Sequence, residues 1–270
     1  MKKCTAIIFY LVLFFLFSCT GNKKENAPQV STVEKSPITT DTIRIHEKYT
    51  FAYDKENAPK LTIDIALPRF NLGNTQANAK LDSTLVWGLF FYGTPTLQDA
   101  CNFYVAAKKE LFDILRNEYH NLKESEIPPG MMNCYCDVKG RTVEGYKGYI
   151  SYIMTCEEYY GGAHPTTFNT IACFDPATGT EITLNDIFTE GYEEPLLEML
   201  TRKLMKDEGV STVEGLQEKG YFGEEMFITN NFILGADSLT FLYNRYEIAP
   251  YAMGDRLISL DYETLKEIMK

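Results

Sequence analysis

The chain has 270 residues, with 26 basic and 37 acidic side chains, a formal net charge of −11 and three histidines. Such a negative field repels nucleic acid, which is excluded as a partner, and speeds encounter with a cationic one. With 45% hydrophobic residues and 13% aromatic ones, the chain is long enough to fold around substantial cores.

Lys2 and Lys3 precede an apolar run from Ala6 to Phe17, which ends in Ser18-Cys19. A short basic start, a brief apolar stretch and a small residue at the boundary predict a signal peptide over residues 1–18. The run is too short to span a bilayer comfortably. Ser18-Cys19 resembles the lipobox of bacterial lipoproteins, which implies that Cys19 carries lipid and tethers the protein to a membrane. Thr20 in place of Asp favours the outer membrane, and the lack of an acidic run after Cys19 favours its periplasmic face. Without residues 1–18 the chain keeps 24 basic against 37 acidic residues, a net of −13. Residues 19–42 hold too few large apolar side chains to offset their ordering entropy and are expected to form a disordered tether, with a reach of about 25–30 Å.

The folded part is expected to be α+β: two lobes over 43–155 and 156–270, with antiparallel sheets and helices packed on one side. From Lys48, period-2 alternation through Tyr49, Phe51 and Tyr53, then Leu61, Ile63, Ile65 and Leu67, predicts a hairpin broken at Asn57-Ala58-Pro59. Two helices follow. The first runs from Asn74 or Thr75 with Ala77, Leu81, Leu85 and Leu89 inward. The second covers Thr96 to Tyr119, with a stripe that includes Leu97, Cys101, Tyr104, Leu111 and Phe112. Strands are predicted over 134–143, 146–160 and 166–174, and a turn at Asp175–Gly179. A helix over 195–207, strands at 226–234, 238–243 and 256–260, and a short terminal helix complete the expected elements.

Five cysteines remain beside Cys4 and Cys19: Cys101, Cys134, Cys136, Cys156 and Cys173. Outside the cytoplasm an odd number leaves at least one unpaired. A turn near 164–165 would place Cys156 opposite Cys173 and allow a bridge; the alternative is that all five are buried thiols. Cys134-Tyr135-Cys136 lacks the redox C-x-x-C spacing, no zinc ligand set is complete, and no metal or cofactor is expected.

Two Gly-, Pro- and aromatic-rich segments carry the functional signal: YYGGAHP at 159–165 and YNRYEIAPYAMG at 243–254. Tyr160, Gly161, Gly162 and His164 from the first, and Arg245, Tyr246, Glu247, Pro250 and Tyr251 from the second, are the candidate ligand-binding residues. Glycines let backbone N–H groups approach a ligand, His164 offers a hydrogen bond, and Tyr and Pro give large contact area at low ordering cost. The competing reading makes the glycines a strand crossing and the tyrosines buried pins. His46 and His120 have no acid-rich motif beside them, and Glu157-Glu158 and Glu224-Glu225 read as solvent-facing charge. No catalytic residue is assigned, since no H-E-x-x-H, G-x-S-x-G, S-x-x-K or P-loop spacing occurs.

The second half resembles the C-terminal domain of RsiV-type anti-sigma factors. The resemblance is carried by Tyr160–His164, Phe174-Asp175 with Thr178-Gly179, Leu184 with Asp186–Phe188, and Tyr246–Ala252 with Gly254. Residues 43–155 resemble the module that accompanies PdaC-type peptidoglycan deacetylases. The first resemblance implies a lysozyme-binding ectodomain; the chain lacks a sigma-binding segment, so the signalling role does not carry over. The separate deacetylase domain is likewise missing. The expected function is a non-catalytic, lipid-anchored envelope protein that binds a lysozyme-like muramidase or a cell-wall glycan. The alternatives are a hydrolase or deacetylase of envelope polymers, with His164 and Asp175 or Glu247 as its groups, and a structural lipoprotein.

Overall fold

A computed structural model describes residues 38–50, 58–90, 93–119, 126, 133–222 and 226–270. The signal segment, Cys19, the tether up to residue 37, His120 and Glu224-Glu225 lie outside the described residues. The protein is α+β, with eight strands in two sheets among those residues.

The larger sheet has the order β1-β2-β3-β4-β5, formed by Thr39–Thr50, Lys60–Asn71, Asn133–Glu144, Ile150–Tyr159 and Thr166–Phe174. The hairpin expected from residue 48 starts earlier, at Thr39, and so takes four residues that were expected in the tether. Ile43 is the one fully buried side chain of β1. The strand therefore depends on its backbone ladder with β2 and on ion pairs such as Asp41–Arg69 rather than on an apolar face legible in the sequence.

The strands pair antiparallel, as expected, at every joint but one. β2 runs parallel to β3, with Leu61 beside Cys134 and Ile63 beside Cys136. Between them lie α1 (Thr75–Leu85), a π turn (Val86–Phe90) and α2 (Leu97–Tyr119), and a crossover of this kind returns the chain in its original direction. Asn74 caps α1, accepting from the Gln76 and Ala77 amides. Leu97, Cys101, Tyr104 and Phe112 of α2 face inward as expected, whereas Leu111 is exposed.

The smaller sheet, β6-β7-β8, comprises Phe232–Leu234, Ser238–Tyr243 and Arg256–Asp261. The strand expected from residue 226 begins only at Phe232. α3 (Leu184–Ile187) and α5 (Val213–Glu218) are short helices that the apolar periodicity did not announce. α4 (Glu193–Glu208) carries Glu193 and Glu194 in its first turn and ends at Gly209 in the left-handed conformation. α6 (Tyr262–Leu265) is the short terminal helix.

Two hydrophobic cores form, and β4 and β5 serve both. On one face, Tyr152, Met154, Ala172 and Phe174 join Leu61, Ile63, Leu67, Leu85, Leu97 and Phe112 under α1 and α2. On the other, Ile153, Ile171 and Cys173 join Leu196, Leu200, Phe241, Tyr243 and Ile258. The boundary expected at 155/156 falls inside β4. The two cores are divided by the faces of a sheet and not by a linker.

Of the two readings of the cysteines, the bridge between Cys156 and Cys173 is not formed, and Cys101, Cys134, Cys136, Cys156 and Cys173 are free thiols. Cys156 lies opposite Phe168 and Cys173 opposite Ser151, because the hairpin is centred near residue 162 rather than at 164–165. The two free thiols also belong to different cores. Burial pushes each up to about 12, so both stay protonated at neutral pH.

The Asp175–Gly179 turn forms as expected. Asp175 accepts from the Ala177 amide and the Thr178 hydroxyl, and the Gly179 amide donates to the Asp175 carbonyl. Gly179 has φ +71°, and a Cβ there would collide with the carbonyl oxygen of Ala77 in α1. The turn thus ties β5 to α1, reinforced by Thr84 donating to the Gly179 carbonyl. Gly179→Ala is expected to lower unfolding free energy by about 2–3 kcal/mol, read by urea denaturation. Gly148→Ala, at φ +75° but in open space, is expected to cost only about 1 kcal/mol.

Candidate functional site

The two segments singled out from the sequence meet. The 161–165 loop joins β4 to β5, the 244–255 loop joins β7 to β8, and they pack on each other at one end of β3–β5. His164 stacks on Tyr251, with ring centroids 3.7 Å apart at 18°. The Tyr251 hydroxyl donates to the Pro165 carbonyl at 3.1 Å, and His164 Nδ1 donates to the same oxygen at 2.9 Å. In the neutral ring that leaves Nε2 as an acceptor. The Arg245 guanidinium lies 4.9 Å from the Tyr251 ring centre, a cation–π contact, and Tyr246 sits 5.9 Å from Tyr251.

Tyr246 is 59% exposed and has φ +70°, a left-handed conformation that is costly for a side chain of this size. The turn around it enforces the geometry: the Tyr246 amide donates to the Ala249 carbonyl and the Glu247 amide to that of Asn244. Tyr251 is half-buried and pinned, whereas Tyr246 is held outward. The contact reading and the pin reading of these tyrosines thus divide between the two residues.

Asn244, buried at 3% exposure, fixes the loop to β5. Its Oδ1 accepts from the Asn169 amide at 2.7 Å and from Asn169 Nδ2 at 3.1 Å, while its own Nδ2 donates to the Asn169 carbonyl at 3.0 Å. Asn231 does the same one step along, accepting from the Ile171 amide and donating to the Asn169 carbonyl. Two side-chain amides therefore stand where a sixth strand would pair. Asn169 Nδ2 also reaches Asp255, which receives the Arg245 amide and pairs with the Arg245 side chain at 3.8 Å. Arg245 Nη1 is shielded and has no acceptor among the described residues. Asn169, Asn244 and Asp255 were missed from the sequence; a polar Asn in the middle of the apolar run of β5 was the available signal.

Glu247 is committed to the Asn244 amide at 2.7 Å, and Asp175 to its own turn. Neither is hydrogen-bonded to His164, so the arrangement expected for the enzymatic alternative is not assembled among the described residues. Gly161 and Gly162 take φ +99° and +108°, and Tyr159 donates to the Gly162 carbonyl. Pro250 precedes the single helical turn Tyr251–Met253. Tyr135 packs beside Tyr159 with ring centroids 5.9 Å apart, and its bond to Glu157 pushes its hydroxyl up to about 12. His46, away from this site, pairs with Asp64 at 2.6 Å.

Tyr160 points to the opposite face of the sheet. Its hydroxyl meets the Cys136 thiol at 3.1 Å, beside a half-buried group in which Glu158 accepts from Tyr104 at 2.6 Å and Lys108 at 2.7 Å. Tyr160 therefore braces the loop from behind and does not share the His164–Tyr251 face. Burial alone would raise the Glu158 carboxyl, but the Lys108 and Tyr104 donors outweigh it and hold the group below its ordinary value. Glu158 was read as solvent-facing charge; it is largely buried and paired.

The fold and this loop assembly define a mixed α+β protein in which a β-hairpin loop and a β7–β8 loop form one aromatic face. Within it, residues 185–263 match the family described as "Protein of unknown function (DUF3298)". That stretch includes the whole 244–255 loop and stops short of the Gly-Gly loop. The chain is similar to the crystal structure of a DUF3298 family member from Bacteroides fragilis NCTC 9343, with 28% identity over 86% of this chain and 94% of that one, and a TM-score of 0.73. A DUF3298 family protein from Pseudomonas aeruginosa PAO1 shares the fold at 18% identity and a TM-score of 0.58, over 87% of this chain and 96% of that one. A comparison with curated proteins gives no match.

Asn244→Ala leaves the buried Asn169 amide without its acceptor and is expected to cost about 2–3 kcal/mol by chemical denaturation. Because the folded carboxyl of Glu158 lies below its usual 4.5, its stabilisation is present above that pH and is lost as pH falls through the lowered value. The stability gap between wild type and Glu158→Gln is therefore expected to be widest at neutral pH and to narrow below pH 4.5, as read by urea titrations across the acid range.

Proposed function

We propose that this protein is a lipid-anchored, non-catalytic binding protein of the cell envelope whose His164–Tyr246–Tyr251 face captures a cationic protein of the muramidase type. The observation that carries the reading is the exposed Tyr246, held at φ +70° beside the stacked His164–Tyr251 pair and Arg245. A preset aromatic group loses little conformational freedom on binding and excludes water well, which is how interface anchors reach high affinity.

Two further features support the reading. The net charge of −13 without residues 1–18 favours a basic partner and speeds its arrival. The resemblance of the second half to the RsiV-type ectodomain suggests lysozyme as the sharpest candidate. Anchoring would come from Cys19, placed after Lys2, Lys3 and the apolar run to Phe17, with the folded part on the periplasmic side of the outer membrane.

Calorimetric titration with c-type lysozyme at low and moderate salt tests this. Micromolar or tighter binding is expected, with an on-rate that falls as salt rises. Tyr246→Ala and Tyr251→Ala are each expected to weaken it by about tenfold or more. Absence of heat at both salts would remove the muramidase reading, and binding indifferent to salt would remove its electrostatic part.

A further inference from the structure

A second cleft lies away from the Tyr251 face, at the β5 edge, where the π turn Val86–Phe90 packs against that strand. Its volume is about 410 Å³, within the range of small-ligand sites. The single tryptophan of the chain, Trp87, lines it and is 58% exposed; Phe168, 43% exposed, lines it too. Large aromatics are ordinarily buried, and two of them open to solvent around one cleft need a reason. The backbone adds another. A π turn is rare and frequent at functional sites, and here it brings Gly88 so close to Ala172 that a Cβ on Gly88 would sit 2.8 Å from the Ala172 Cβ. The turn presents Trp87 outward at the cost of that tight approach.

The cleft is chemically two-sided. Ile182 and Phe232 give it an apolar floor, while Glu181 and Asn230 stand exposed at its rim. Neither rim side chain makes a hydrogen bond among the described residues, and the Trp87 indole N–H has no acceptor there. We propose that this cleft binds a neutral saccharide carrying an acetamido group, an N-acetylhexosamine unit of an oligosaccharide. Aromatic faces stack on the C–H face of a pyranose ring, the rim carboxylate accepts from hydroxyls, and the rim amide both donates and accepts. The apolar floor receives the acetamido methyl. The acidic balance of the chain disfavours polyanionic glycans and is indifferent to a neutral one. This site is independent of the protein-binding reading above, since it uses other residues on another part of the fold.

Because Trp87 is the sole tryptophan, selective indole fluorescence of the full-length protein reports on this cleft alone. Titration with chitotetraose is expected to give a saturable change, and cellotetraose, which lacks the acetamido groups, none. Phe168→Ala keeps the reporter and is expected to weaken chitotetraose about tenfold. Because that variant removes a partly exposed ring, its unaltered circular dichroism serves as the check on folding. No saturable change, an equal response to the two sugars, or an affinity unaltered in a folded Phe168→Ala protein would overturn the proposal.

Discussion

Beside Asn169 and Ile171 the outer edge of β5 is closed by side chains, with the backbone of Glu181 and Ile182 taking over at Cys173 and Phe174, and much of the molecule follows from that. Backbone N–H and C=O groups buried without partners cost as much as lost hydrogen bonds, so an edge covered by another layer must be satisfied from that layer. Asn231 and Asn244 meet the demand with carboxamides that copy the donor and acceptor of a peptide group. Each comes from beside the smaller sheet, Asn231 just before β6 and Asn244 just after β7. The same bonds that close the edge therefore lock the second sheet onto the first and set the start of the 244–255 loop.

From that anchor the aromatic face is built outward in steps. Asn244 holds Glu247, the turn holds Tyr246 in a conformation it would not choose, and Tyr251 reaches back across to Pro165, where His164 covers it. Behind the hairpin, Tyr160 and the Glu158–Lys108–Tyr104 group brace the opposite face. A mobile loop could present the same residues, but it would lose entropy when a partner ordered it. Here the ordering is supplied by folding.

How much of this was legible in the sequence differs by element. Period-2 and helical runs located β2, α1, α2, α4 and β7, and Asn74 announced its cap, because one apolar face and one capping side chain decide these elements locally. The joining of the 159–165 and 243–254 segments was foreshadowed only by shared composition. What stayed hidden depends on distant partners. β1 has almost no apolar face, and the parallel β2–β3 joint is set by a crossover. The stretch 226–231 looks like a strand but gives Asn231 to β5 instead. The choice between a Cys156–Cys173 bridge and free thiols also turned on the hairpin centre, since a shift of a few residues leaves each opposite another residue. Trp87 drew no notice, since the π turn that turns it outward has no signature in the apolar period.

The parallel joint between β2 and β3 bears on how the chain can assemble as it is made. β2 presents Leu61, Ile63, Ile65 and Leu67, all nearly inaccessible in the finished fold, but its far neighbour β3 begins only at Asn133. During N-to-C synthesis β2 must wait for both helices and for β3, a long-range closure that is intrinsically slow. β1 precedes it and pairs along its whole length, so one edge of β2 is occupied from the outset. The outward side of that hairpin carries Arg44 and Lys48, charges that discourage a second nascent chain from adding to the sheet. The strand with the least core to contribute is thus well placed to act as an early guard for the most apolar one.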